Sequence, residues 1–479
     1  MVRSPIQQAV LLATATTTST RPGRDVPLAL VRCGGITLLK RALLSLSRKG
    51  VRRFVIVIAD AAVRRSVVHD AQLRGLEIIW VRNVERPDDT THALWRARPH
   101  LRGEFFVVPV DRVFAPQVLD RLLAEPLDGA TLAVSRAGVA QSTGALPPAL
   151  LASAGLGLQI AQRDRVAALV PAQPDATALG VFSASRILFD VLDERTGDGA
   201  AVEIGEAFAR LAARGQLRAA DVEDAWWHPV RSPVECKQAE RVLVRSLRKS
   251  VDGVISRHVN RRFSLAATRL LMNTAVRPNH VTAFSLFVSI MAAVVAAMAT
   301  ALEPGWFVLG AVLWQLASML DGIDGELARL KFQGSRLGEW FDTLTDDVGR
   351  FVYFIGAGIG LAAMTGQTIW LQISVVGVVL QLSVALNLYR KLIKTGSGSH
   401  YALAWETKPK DTWTSRLYHR IEFMSRRDYY VFVWMVLAMV DLAQVGLVIM
   451  VATTAVVFTH ETLRPRQARE DFMLQPPTG

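Results

Sequence analysis

At 479 residues the chain is long enough for two or more domains. It is 51% hydrophobic with a mean hydropathy of +0.26, and its two cysteines, Cys33 and Cys236, argue against a disulfide framework or a cysteine metal cluster. The net charge of +13 comes from basic residues set beside apolar runs, a placement that fits anionic lipid and topology control and sets nucleic acid aside as a partner. Residues 1–20 lack a positive region followed by a sustained apolar core, so no cleaved signal peptide is expected there. Runs long enough to span a bilayer begin only near Val281, which makes the first half the soluble one.

In that half, short apolar strands alternate with amphipathic helices. Residues 9–15 read as a strand, 38–49 as a helix, and 54–59, 78–81 and 105–110 as strands, the last ending at Asp111. The alternation predicts a mostly parallel sheet with helices on both faces, a Rossmann-like α/β domain over 1–235. The order of elements, with a loop after the first strand, Val-Pro-Leu-Ala-Leu-Val-Arg-Cys-Gly-Gly at 26–35 and an Asp-ended central strand, resembles a sugar-phosphate nucleotidyltransferase.

The working parts of that family are largely missing. A nucleotidyltransferase uses a Gly-rich loop so that backbone N–H groups can approach a triphosphate. Here the loop from Thr16 to Arg21 has no glycine before Gly23, and the family's phosphate lysine aligns with Val26. Its late metal-binding aspartate would fall near Trp227, His228, Pro229 and Val230, where no carboxylate stands. Asp111 and Arg21 alone remain as candidates, so the domain is expected to be catalytically degenerate, retaining a role in nucleotide or partner binding or in dimerisation. Gly34-Gly35 is only a turn signal.

From 236 to 280 lies a connector. Residues 239–263 interleave Arg241, Arg245, Arg248, Arg257, Arg261 and Arg262 with apolar positions at helical spacing, predicting a basic amphipathic helix on the cytoplasmic membrane surface. Pro278 suits a helix start, and Asn279 either caps it or contacts a nucleotide, capping being preferred.

The membrane half predicts six spans, at 281–302, 306–327, 339–364, 369–392, 428–440 and 442–462, with a cytoplasmic tail over 463–479. The fifth is short for a bilayer by itself. Lys and Arg fall on alternate loops, as an all-α six-helix bundle with both termini in the cytoplasm requires. Arg390, Lys391, Lys394, Arg426 and Arg427 stand near helix ends, suited to an acceptor or donor phosphate or to plain positive-inside flanking. Gly396–Ser399 reads as a flexible loop and 405–413 as an interfacial anchor. His400 and His419 read as surface residues.

Within this half, Asp321 and Asp324 are spaced i, i+3 and Asp342 and Asp346 i, i+4, so each pair shares one helix face. An Asp costs about 2.5–3.5 kcal/mol at mid-bilayer on insertion scales, so four together call for a compensating cation. Hard divalent ions with oxygen ligands answer that need, and a pair of them forms a clamp for phosphoryl chemistry.

The spacing D-x2-D-G-x2-A-R-x8-G-x3-D-x3-D closely resembles the signature of the CDP-alcohol phosphotransferases. The stretches 252–261 and 277–282 resemble the entry to that family's core. The resemblance implies that Asp321, Asp324, Asp342 and Asp346 bind two Mg²⁺ or Mn²⁺ ions, with Asp346 also the general base for the acceptor hydroxyl. It implies that Asp321, Gly325, Ala328 and Arg329 line the nucleotide site with Gly338, which lets helices approach, and that the enzyme is a homodimer in the bilayer. The two-domain order resembles the bifunctional inositol-phosphate cytidylyltransferase/di-inositol-phosphate-phosphate synthase family, implying a CDP-linked donor, inositol phosphate as acceptor and CMP as product. Two alternatives stay open: CDP-diacylglycerol as donor for a phospholipid synthase, and a non-catalytic membrane scaffold or nucleotide sensor.

Overall fold

The computed structural model describes residues 6–16, 26–86, 89–135, 154–160, 165–169, 176–194, 203–222, 225–248, 253–395, 423 and 426–462. The chain forms two compact units, Met1–Leu243 and Val244–Gly479, each with its own apolar core. Arg21 and its loop, the expected loop and anchor with His400 and His419, and the tail lie outside the described residues.

The strands of the first unit are β1 (Gln8–Ala13), β2 (Arg32–Cys33), β3 (Ile36–Thr37), β4 (Arg53–Ile58), β5 (Glu77–Arg82), β6 (Phe105–Pro109), β7 (Arg112–Phe114), β8 (Ala130–Ser135), β9 (Ala154–Ile160), β10 (Val166–Leu169), β11 (Ala176–Ala184), β12 (Leu217–Asp221) and β13 (Trp227–Pro229). The main sheet runs β10-β9-β11-β6-β1-β4-β5, with β8 pairing β11 and β12. β5, β4, β1 and β6 are parallel, whereas β11 runs antiparallel to β6, β8 and β9. Parallel strands covered on both faces need continuous apolar runs, and β4 supplies one. Its Val55 and Val57 enter one core, and its Phe54, Ile56 and Ile58 enter the other.

Helices α1 (Leu38–Arg48), α2 (Ala61–Val68), α3 (Thr90–Ala97), α4 (Pro116–Ala124), α5 (Ile187–Asp193), α6 (Ile204–Ala213) and α7 (Pro233–Arg245) complete this unit, the last crossing its boundary. The Thr37 hydroxyl caps α1 by accepting from Lys40 N, and the Asp89 carboxylate caps α3 by accepting from His92 N.

In the second unit a π-helical turn at Ser256–Asn260 leads into α8 (Arg261–Leu271). There follow α9 (Pro278–Ala297), α10 (Gly305–Leu330), α11 (Arg336–Thr365), α12 (Ile369–Thr395), α13 (Arg427–Met439) and α14 (Ala443–Thr462). The single connector helix expected over 239–263 is not formed: α7 ends at Arg245 and helix resumes at the π turn. Asp428, from α13, accepts from Ser256 N at 2.8 Å and fills the space where a Cβ on Gly253 would stand, so a distant carboxylate starts the new helix.

Among the described residues, four helices, Pro278–Ala297, Gly305–Leu330, Arg336–Thr365 and Ile369–Lys394, are long and apolar enough to cross a membrane. Of the other two expected spans, α13 has 13 residues and the apolar part of α14 is Ala443–Thr459. Glycines set the packing of α9. A Cβ on Gly356 or Gly360 of α11 would overlap the carbonyl oxygens of Ala293 and Ala296, and one on Gly310 of α10 would stand 2.8 Å from Ala292 O. Trp314 stacks on Tyr353 at 3.9 Å between centroids, and Trp434 Nε1 donates to the Tyr353 hydroxyl at 2.8 Å, pinning α10, α11 and α13 together.

Candidate active site

Helix α10 carries Asp321, Asp324, Gly325 and Ala328 at i, i+3, i+4 and i+7, one continuous face. Helix α11 begins at the Ser335 cap, whose hydroxyl accepts from Gly338 N at 3.0 Å, and brings in Asp342 and Asp346. Carboxylate oxygens of Asp321, Asp324 and Asp342 all lie within 4.8 Å of one another, close enough to share a cation. Asp324, almost fully buried, is fixed by Thr282 of α9, which donates to its Oδ2 at 2.5 Å, and by its contact with Gly325 N. The buried Oδ1 of Asp342 has no hydrogen-bond partner among the described residues. A buried carboxylate oxygen left unsatisfied among two other carboxylates fits a hard divalent ion.

Asp346 stands outside that trio and joins it through Arg427 at the start of α13. The Arg427 Nη1 is 2.9 Å from Asp321 Oδ1 and also contacts Asp346 Oδ1. Arg427, read in sequence as a phosphate ligand, is therefore placed between two of the four aspartates. Arg426 precedes it as the residue flanking the helix, and Arg390 lies exposed near the end of α12 beside Lys391.

The Arg329 guanidinium lies over Gly325, where a Cβ would stand 3.3 Å from its Nη1. Asn279 does not cap α9: the helix starts at Pro278 with Arg277 flanking it, because proline takes the first helical position. Instead, Asn279 Oδ1 would lie 3.5 Å from a Cβ on Gly338, which brings these two expected nucleotide contacts together. At Gly338 an added methyl would meet only side chains, so the close helix approach expected of it belongs to Gly356 and Gly360.

Sequence reasoning missed the support behind this face. Glu326 is fully buried. Its Oε1 accepts from Arg261 Nη1 at 2.6 Å and Ser264 Oγ at 2.7 Å, and its Oε2 from Thr268 Oγ1 at 2.6 Å. The i, i+3, i+7 spacing of those α8 residues was the available signal. Arg261, expected on a charged membrane-surface face, is thus a buried partner. Lys331, at the end of α10, donates to Thr274 O and Val276 O, both at 2.9 Å, tying down the turn between α8 and α9. Beside Asp346, the buried Asp347 contacts Arg350 and the Tyr389 hydroxyl of α12.

In the first unit, Asp111 follows the end of β6 and is 1% exposed at its side chain. Arg112 Nε donates to its Oδ1 at 2.9 Å, and Arg231 Nε to its Oδ2 at 3.2 Å. Burial pushes the Asp111 carboxyl up, but the two guanidinium groups outweigh it and hold it below the ordinary range. β13 pairs with β7, so residues 227–230 do lie beside Asp111, and Val230 N donates to Asp111 O at 2.6 Å. What reaches the carboxylate from this neighbourhood is Arg231, a cation.

Residues 275–459 match the CDP-alcohol phosphatidyltransferase family, and residues 9–207 match the MobA-like NTP transferase domain. The chain is 30% identical over 350 residues to the bifunctional IPC transferase and DIPP synthase of Rubrobacter xylanophilus, covering 72% of this chain and 76% of that protein. The chain belongs to the bifunctional IPC transferase and DIPP synthase family. It is 27% identical over 351 residues to the family's protein in Aquifex aeolicus, covering 73% of this chain and 76% of the other. A solved structure of the inositol-1-phosphate CTP transferase from T. maritima is similar over 49% of this chain and 92% of its own, at 20% identity and a TM-score of 0.41. The chain is thus a transferase with CDP-alcohol phosphotransferase chemistry, and it is membrane-associated. The phosphatidyltransferase match takes in α9 to α13 with all four aspartates, while Arg261, Ser264 and Thr268 precede it; Arg231 likewise lies beyond the NTP transferase match.

Proposed function

We propose that this bifunctional-family transferase moves a phospho-alcohol group from a CDP-linked donor to an acceptor hydroxyl and releases CMP. The observation that carries this reading is the Asp321, Asp324 and Asp342 cluster, with the orphaned Asp342 oxygen inside it. The names of the relatives favour CDP-inositol as donor and inositol phosphate as acceptor.

Asp321, Asp324, Asp342 and Asp346 would hold two Mg²⁺ or Mn²⁺ ions, which when bound neutralise the pyrophosphate and the leaving CMP. Thr282 keeps Asp324 in place for this, and Glu326 fixes the opposite side of α10. Asp346, turned toward Asp321 through Arg427, takes the acceptor proton. Gly325, with no side chain, leaves room for the Arg329 guanidinium beside it, which meets the donor phosphates, and Asn279 and Gly338 contact the nucleotide. Arg390, Lys391 and Arg426 serve an acceptor phosphate. Most of the rate enhancement is positioning and electrostatics.

The NTP transferase unit is read as degenerate, because Asp111 is committed to Arg112 and Arg231. CDP-inositol is then supplied by another cytidylyltransferase. Domain limits of 1–235, 236–280, 281–462 and 463–479, a multi-pass topology with cytoplasmic termini, and a homodimer complete the reading.

The test is CMP release by the full chain in membranes supplied with CDP-inositol, inositol phosphate and Mg²⁺. Asp321→Ala and Asp342→Ala should each abolish it, and near-normal turnover in either would refute the assignment. CTP with inositol phosphate should yield no CDP-inositol; product formation there would overturn the degenerate reading.

A further inference from the structure

A groove of about 810 Å³ opens on the first unit, lined by Arg82, Arg96, Arg98, Arg102 and Arg186. Trp80 and Trp95 form part of its wall. Asp193 pairs with Arg98 and accepts from Trp95 Nε1 at 3.4 Å, and no carboxylate is among the lining residues. Among the described residues, four guanidinium groups therefore line one concavity without a matching acid there. Arg82, Arg96, Arg102 and Arg186 are exposed, and so is Trp95, at 43%.

Most of this groove stands away from the Asp111 neighbourhood; Arg82 ends β5, level with Ile58 of β4 and three strands along from β6. Arg98 and Arg102 precede β6, and Arg102 N donates to Gln8 Oε1 at the start of β1. Arg186 follows β11, whose last residue, Ala184, pairs with Phe105 at the start of β6. Asp111 lies past the other end of β6, about 20 Å along at ~3.3 Å per residue.

Arginine forks in a concave site match phosphate oxygens in pairs, and their charge is disproportionate to a single phosphate. An exposed indole at the rim offers a face for a flat ring. The volume lies within the range of small-molecule sites. We propose that this groove binds a soluble ligand carrying two or more phosphate groups, with a nucleoside polyphosphate as the class that also uses Trp95. Nothing in the proposed transfer reaction uses these residues.

The probes are CTP and inorganic tripolyphosphate, titrated by calorimetry into the full chain in detergent with a chelator present, so that cation-dependent binding at the aspartates is silent. Both should bind, CTP more tightly. Arg96→Gln and Arg102→Gln change exposed side chains and should each raise Kd about tenfold or more for both probes, the loss that one charge-assisted hydrogen bond carries. Trp95→Ala should weaken CTP alone. Absence of tripolyphosphate binding, or unchanged Kd in the two arginine variants, would overturn the proposal. Equal affinity for the two probes, or no effect of Trp95→Ala, would overturn the nucleoside assignment.

Discussion

Arg261 of α8 and Glu326 of α10 form a buried ion pair, 2.6 Å long, directly behind the helix face that carries Asp321 and Asp324. With Ser264 and Thr268 also donating, every part of the Glu326 carboxylate is engaged. Such a network locks one helix against another in a single register, and it does so for the helix bearing two of the proposed metal ligands.

Removing one member should therefore be costly. Glu326→Ala strands Arg261 and two hydroxyls and is expected to destabilise the chain by about 3–5 kcal/mol. Thermal unfolding in detergent measures this. The Arg261→Met and Glu326→Leu double variant, which removes both charges, should recover most of the loss; equal loss in single and double variants would contradict the pairing argument.

Gly360→Ala and Gly356→Ala place a methyl on backbone carbonyl oxygens of α9, where no rotamer change gives relief. Each should cost about 1–3 kcal/mol or more and lower transfer activity with it. Gly366→Ala, whose Cβ would meet nothing within 4 Å, strains only a left-handed backbone at φ 70° and should cost about 1 kcal/mol. Unfolding midpoints of the three variants give the order.

Cation binding should register without any substrate. Mg²⁺ or Mn²⁺ is expected to raise the unfolding temperature of the native chain in a concentration-dependent way. Asp342→Asn should abolish most of that increment, while Asp111→Asn should leave it intact. A full increment in Asp342→Asn would count against the carboxylate cluster as the ion site.

The Asp111 pairing makes stability sensitive to acid. Its carboxyl titrates below the unfolded value of about 3.9. The contribution is therefore present above that pH and is lost as pH falls through the lower folded value. Arg231→Met removes one counter-charge, so the folded value rises, the acid transition moves to higher pH and stability at neutral pH drops by about 1–3 kcal/mol. Acid titration followed by near-ultraviolet circular dichroism tests the shift.

The two cysteines should differ in reactivity. Cys33 is fully buried; its hydrogen bond with Cys236 and its burial push its thiol well above the usual range. The same hydrogen bond lowers the Cys236 thiol, and that residue is half-buried. Iodoacetamide should label Cys236 first, as read by peptide mass spectrometry; faster labelling of Cys33 would contradict this arrangement.

The parts of the fold written in local pattern were legible. The apolar runs of β1, β4 and β6 and the periodicity of α1 mark those elements within a residue or two. The Asp321, Asp324 and Asp342 grouping follows from helical spacing and a fixed signature. What was illegible depends on partners far away in sequence. Arg261 looks like any basic residue of an amphipathic stretch until Glu326 is set against it. The restart of helix near Ser256 depends on Asp428, and the place of Arg427 depends on how α13 packs. Asn279 was misread because Pro278 takes the first helical position, which leaves the cap at Arg277, two residues earlier.

Residues 427 and 428 have a consequence for biosynthesis. Arg427 links Asp321 to Asp346, and Asp428 starts the helical turn at Ser256. All four helices from Pro278 to Thr395 are synthesised before either residue is made. A nascent chain halted short of α13 would hold Asp321 and Asp346 without the arginine that joins them, an intermediate with unbalanced negative charge that only the last two helices complete.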